Sequence, residues 1–124
     1  MADELTWVIK NGENGTERTG TLFANGVPID LTNKTVTMNV RVKPTLRKIL
    51  SDIPITPDSD QSANTGRITW LVLAAHTDPE TIPAKRDGYL IEFKLVEQSV
   101  IDYVPRREEL SKTYGLLIVQ ENLD

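Results

Sequence analysis

The stretch from residue 20 to residue 43, GTLFANGVPIDLTNKTVTMNVRVK, constrains this chain more than any other. From residue 35 to residue 43, Val36, Met38, Val40 and Val42 alternate without a break with Thr35, Thr37, Asn39, Arg41 and Lys43. A period of two residues turns one side of the backbone dry and the other wet, which is a strand and not a helix. Upstream, Asn25-Gly26 lies between Thr21-Leu22-Phe23 and Val27-Pro28-Ile29. A two-residue hairpin turn needs φ > 0 at both central positions, and Asn-Gly supplies it. A second reversal is expected at residues 32–34. The segment holds no residues placed for a reaction.

The same pattern recurs along the chain. Residues 5–10 read as a first strand anchored by Trp7, and residues 17–23 as the strand that enters the Asn25-Gly26 turn. Residues 46–55 form a weaker strand bounded by Pro54 and Pro57, and residues 67–75 the most apolar one. There Ile68, Trp70 and Val72 share one face, while Leu71 and Leu73 make the other apolar too. Residues 89–96 read as one-sided, with Tyr89, Ile91, Phe93 and Leu95 inward and Glu92 and Lys94 outward. Asp87-Gly88 reads as a turn, residues 99–104 as a short strand, residues 105–109 as a charged excursion and residues 112–120 as the last strand. In that strand Leu117 and Val119 alternate with Leu116 and Ile118, so again neither face is polar. Thr77 or Asp78 can cap one helical turn that has Pro79 and Glu80 in it. Seven to eight strands at this spacing, with one short helical turn, predict an all-β, immunoglobulin-like antiparallel β-sandwich. The 124 residues fit a single domain, 1–124, able to bury roughly two-thirds of its unfolded surface without staples.

Several functions lose their support on composition or spacing. No cysteine is present, which removes disulfides, thiolate metal sites and thiol nucleophiles together. Residues 11–15, Asn-Gly-Glu-Asn-Gly, lack the strand-then-helix setting of a phosphate loop. Asp58 and Asp60 have the opening spacing of a calcium loop, but its mid-loop glycine and closing glutamate are missing. His76 is the single histidine and has no serine or cysteine partner suggested for it, so the chain reads as a non-enzyme with no cofactor or metal. Arg41, Lys43, Arg47 and Lys48 cluster, but the net charge is −4 and no aromatic residues interleave for base stacking, so nucleic acid is not the expected partner. The N-terminal MADELTWVIK is not signal-like and no apolar run approaches ~18 residues, so folding in a cytoplasm and no membrane contact are expected.

The order of these pieces resembles the N-terminal immunoglobulin-like domain of phage baseplate upper proteins and related tail or virion proteins. The pieces are residues 25–32 (Asn-Gly-Val-Pro-Ile-Asp-Leu-Thr) before the valine strand (Val36, Val40, Val42), Gly66-Arg67-Ile68-Thr69-Trp70, the helical turn in residues 77–85, and Gly88-Tyr89. They cover the chain from about Gly20 to Val119. The resemblance implies a non-enzymatic bacteriophage structural protein of the tail or baseplate, made in the host cytoplasm and located in the virion. It brings no catalytic residues. Alternatives are a head-associated capsid decoration protein and a carbohydrate-binding or adhesion module, for which Trp7, Trp70 and Tyr103 are the aromatics to follow. A sandwich strand needs only one apolar face, so Leu71, Leu73, Leu117 and Val119 are the candidate interface, to neighbouring virion proteins or to copies of the chain in a homo-oligomer.

Overall fold

The computed structural model describes residues 5–24, 26–43, 45–104 and 115–121. Asn25 of the expected turn, the charged excursion at 105–109 and the first residues of the expected last strand, 112–114, lie outside the described residues. The chain is almost entirely β-structure. In order come β1 (Leu5–Lys10), β2 (Thr16–Thr21), the two-residue strands β3 (Phe23–Ala24) and β4 (Val27–Pro28), β5 (Thr35–Val42), β6 (Arg47–Pro57), β7 (Arg67–Val72), a 3-10 turn (Ala74–His76), β8 (Lys85–Glu97), β9 (Val100–Val104) and β10 (Gly115–Gln120). Eight of these strands form one continuous ladder in the order β1-β10-β8-β5-β6-β7-β2, with β9 alongside β8, and β3-β4 is a separate hairpin.

The ladder folds into two layers because β6 belongs to both. Its first part pairs with β5, as in Met38 opposite Ile53, and its last two residues pair with β7, Thr56 opposite Thr69. Two register shifts against β5 bend it on the way. At the bend, Asp52 takes a positive φ of 54° and its N–H donates to Asn39 Oδ1 at 3.1 Å. Pro54 falls inside β6 rather than at its end. It is tolerated because β6 has a neighbour on one side only at that point. One layer is β1, β10, β8, β5 and the start of β6; the other is β2, β7 and the end of β6. Grouping β5, β8 and β10 against β2, β7 and the end of β6 is the division of an immunoglobulin-like sandwich, except that β1 joins the first layer where that fold's first strand joins the second. Another mark of that fold lies near the start of β8, where the buried Tyr89 hydroxyl donates to the carbonyl of Pro83.

One pair departs from the antiparallel expectation: β1 runs parallel to β10, with Trp7 beside Leu117 and Ile9 beside Val119. The loop after β1 carries the chain to the other layer, leaving β1 at the edge of the first. There it meets β2 without a ladder. Trp7 Nε1 donates to the Thr19 carbonyl at 2.9 Å, and Arg18 Nε to the Val8 carbonyl at 3.0 Å, so side chains stitch the two layers at this corner. Gly20 fits the approach, because a Cβ there would lie 2.6 Å from Leu5 Cδ1. Between the layers Trp7 packs on Trp70 (ring centroids 5.5 Å) and edge-on to Phe93 (5.9 Å), among Ile9, Val36, Met38, Val40, Ile68, Val72 and Ile91, all buried.

Four further local readings change. The helical turn sits at Ala74–His76, earlier than Thr77 or Asp78 would start it, because its first N–H groups find other acceptors: Asn14 Oδ1, from the first loop, takes Ala74 N–H at 2.9 Å, and His76 Nδ1, within the turn, takes Leu73 N–H at 3.1 Å. Asp78 instead closes the next reversal, accepting from Glu80 N–H with its carboxylate and from Ile82 N–H with its carbonyl. Asp87-Gly88 is a bulge inside β8, where Tyr89 and Lys85 oppose Leu117 and Val119 with Gly88 at φ +78°. Glu92, expected in water, is wholly buried, since it lies opposite Asn39 and beside Arg41. Its Oε1 accepts from Asn39 Nδ2 at 3.0 Å and from Arg41 Nη2 at 3.1 Å.

Candidate assembly surface

The outer face of the smaller layer is set by the antiparallel registers of β2, β7 and β6. Because opposite residues share a face, Ile68, Trp70 and Val72 point into the core while Arg67, Thr69, Leu71 and Leu73 point out. Leu71 is 47% exposed and Leu73 42%. Glu17 on β2 stands opposite Leu71, Thr19 and Thr56 flank Thr69 on either side, and Thr21 stands opposite Arg67. The face is therefore an apolar end grading into an uncharged row of three threonines, with one acid and one base at its margins. Val100 and Ile101 on β9 of the larger layer and Val27 on the β3-β4 hairpin are also exposed, and apolar residues exposed singly at such sites are ordinary.

The other two candidate interface residues are corrected. Leu117 and Val119 are core residues, 0% and 2% exposed. With both faces of β10 apolar, alternation could not say which one is inward; the parallel register with Trp7 and Ile9 decides it. The outward pair is Leu116 and Ile118, both half-buried, next to Val8 of β1, which is 39% exposed. The sequence carried that signal in the double alternation without resolving its sense.

Groups considered for chemistry are spent on structure. His76 Nδ1 accepts two N–H groups, from Trp70 Nε1 at 3.2 Å and from Leu73, so its proton sits on Nε2; burial holds its pKa below the ordinary imidazole value. Asp58 Oδ1 accepts from Asp60 N–H, and Asp60 Oδ1 from Ser62 Oγ and Ala63 N–H. Those bonds, the hydroxyl first, hold the Asp60 carboxyl below its usual range. Among the described residues no three His, Cys, Asp or Glu side chains converge as a metal site. Trp7 and Trp70 are buried, and Tyr103 is half-buried. No helix among the described residues is long and apolar enough to cross a membrane.

No family model and no curated protein matches the sequence. The residues of the resemblance are joints of the fold. Gly26 turns the β3-β4 hairpin at φ +79°. Leu31 is buried, and its N–H donates to Gln61 Oε1 at 3.0 Å. Gly66 takes φ +80° at a point where a Cβ would lie 2.7 Å from the Leu22 carbonyl oxygen.

Proposed function

We propose that this chain is a non-enzymatic structural protein of a bacteriophage virion, a tail or baseplate component that works by protein–protein contact through the outer face of β2, β7 and β6. The observation that carries this reading is the pair Leu71 and Leu73, half-exposed on β7 and just past its end, where the inner face of the strand is fully packed. Apolar side chains gain about 25 cal/mol per Å² when covered, and the threonine row carries no charge to strand, so the acid a partner must accommodate is Glu17 opposite Leu71. The succession of sequence pieces at residues 25–32, 66–70 and 88–89, which resembles that of phage immunoglobulin-like domains, is what supports the virion assignment. The adhesion alternative has less support, because neither tryptophan offers its ring to a sugar.

The test is the solution mass by light scattering over a concentration series, alone and with the other proteins of the particle. Leu71→Asp is expected to abolish association and leave the chain folded, with a modest drop in the urea midpoint because the site is half-exposed and the new carboxylate stands opposite Glu17. A variant that associates as the wild type does refutes the surface. A wild-type chain that stays monomeric and binds no particle protein refutes the function.

A further inference from the structure

The topology collects cations from four strands at one end of the larger layer. Lys10 ends β1, Lys43 follows β5, Arg47 and Lys48 open β6, and Lys85 and Arg86 open β8. The registers place these positions together: Lys10 is level with Gln120 of β10, Lys85 is opposite Val119, and Arg47 is opposite Val42. In sequence they lie up to 76 positions apart (Lys10 to Arg86), so the cluster at residues 41–48 announces only part of them. Two concavities line this end and meet at Lys85. One, of about 660 Å³, has Ile118, Val119 and Ala84 as an apolar lining with Lys10, Lys85 and Arg86 among them. The other, of about 340 Å³, is lined by Val42, Ile49 and Tyr89 with Arg47.

The charges are mixed in a particular way. Glu121 and Glu80 stand in the two concavities, and Asp87 pairs with Lys85 at 3.1 Å. Asp87 is held below the ordinary carboxylate range by its bond from Lys85, with Lys43 contributing from farther off. Among the described residues at the two concavities, the four cations Lys10, Arg47, Lys85 and Arg86 stand against the three carboxylates Glu80, Glu121 and Asp87, a small positive excess in a chain of net charge −4. A nucleic acid brings unbroken negative charge and bases that need rings to stack on; here three carboxylates interrupt the positive stripe, and the buried Tyr89 is the one aromatic among the lining residues. A peptide in which carboxylates alternate with aliphatic side chains matches both features.

We propose that this groove binds an extended acidic peptide segment, with Lys10, Lys85 and Arg86 pairing its carboxylates and Ile118 and Val42 receiving its aliphatic side chains. The proposal deepens the assembly reading, on which it rests for the source of the segment, a neighbouring protein of the particle. The groove and the Leu71 face share no residue, so each can fail alone.

The probe is a fluorescein-labelled peptide of alternating Glu or Asp and Leu, titrated with the whole chain and read by anisotropy. Saturable binding that weakens as salt is raised is expected, since the pairs are exposed and screened. The triple variant Lys10→Gln, Lys85→Gln, Arg86→Gln is expected to weaken it by about tenfold, a modest loss for each of three surface charges. An unchanged urea midpoint shows that the variant is folded; Ile118→Asn is a second variant that makes the lining polar without changing its charge and is expected to weaken the same peptide. Absence of saturable binding, equal binding by both variants, or tighter binding of a short oligothymidylate than of the peptide overturns the proposal.

Discussion

Gln61 offers the sharpest test of how the fold is held. Its Oε1 accepts two buried N–H groups, Leu31 at 3.0 Å and Gly66 at 2.9 Å, and its Nε2 donates to the Asp58 carbonyl at 2.9 Å. One side chain thereby ties the turn at 61–66 to the segment after the β3-β4 hairpin, and the Gly66 carbonyl returns a bond to Leu22 N–H. Gln61→Met keeps length and removes the acceptor. Leaving a buried donor unsatisfied costs about 1–3 kcal/mol, so two cost about 4 kcal/mol, a large share of the 5–15 kcal/mol that holds a domain together. With an unfolding entropy of about 2.1 cal/mol/K per residue, the 124-residue chain loses about 15 °C of Tm. Calorimetry measures the shift, and amide hydrogen exchange at Leu31 and Gly66 locates it. Gln61→Glu, which keeps the acceptor oxygens, is expected to lose less. A cost under about 1 kcal/mol for Gln61→Met, with both amides still protected, refutes the reasoning that these N–H groups have no other partner in reach.

Three other outcomes follow from named contacts. Trp7→Phe keeps a ring in the core but deletes the donor to Thr19 and leaves a void, and is expected to cost about 2–3 kcal/mol by urea unfolding. The folded chain resists protonation of His76, so the unfolded chain takes that proton first. The contribution is complete above the unfolded value of about 6.5 and is lost as pH falls through the lower folded value. His76→Asn, which keeps an acceptor but does not titrate, is expected to flatten the urea midpoint between pH 7 and pH 5; an identical decline in both proteins would exclude His76 as its source. Below that window Glu13, Asp30 and Asp87, whose folded values lie under their ordinary ones, are expected to withdraw their own contributions in both proteins alike. Gly20→Val is expected to push Leu5 away and open the β1-β2 corner, read as faster exchange of the Trp7 indole N–H.

How much of this was legible depended on whether a residue's face is fixed by its own strand or by its neighbour. In β5, Val36, Met38 and Val40 are buried where alternation puts them, because polar side chains on the other face left one sense only. In β10 both faces are apolar, and the choice of Leu117 over Leu116 came from β1, more than a hundred residues away in sequence. Glu92 reads as a surface acid until Arg41 and Asn39 arrive from β5, a cross-strand pairing that no local pattern contains. Asp78 is a good cap by type, and yet the helical turn begins earlier, because Asn14 reaches it from the first loop. The cationic end was half visible: residues 41–48 are adjacent in the chain, whereas Lys10, Lys85 and Arg86 join them only through strand order.

The path of β6 has a consequence for how the molecule comes apart. One strand passes from the first layer to the second, and at the opposite corner Trp7 and Arg18 join the layers again. The two layers thus form a ring, and a ring offers no loose margin from which to unravel. Detaching the smaller layer means losing the Thr56–Thr69 pairing, the Trp7–Thr19 bond and the Trp7–Trp70 contact in one event. Unfolding in denaturant should therefore be a single concerted transition, with tryptophan fluorescence and far-ultraviolet dichroism tracing the same curve.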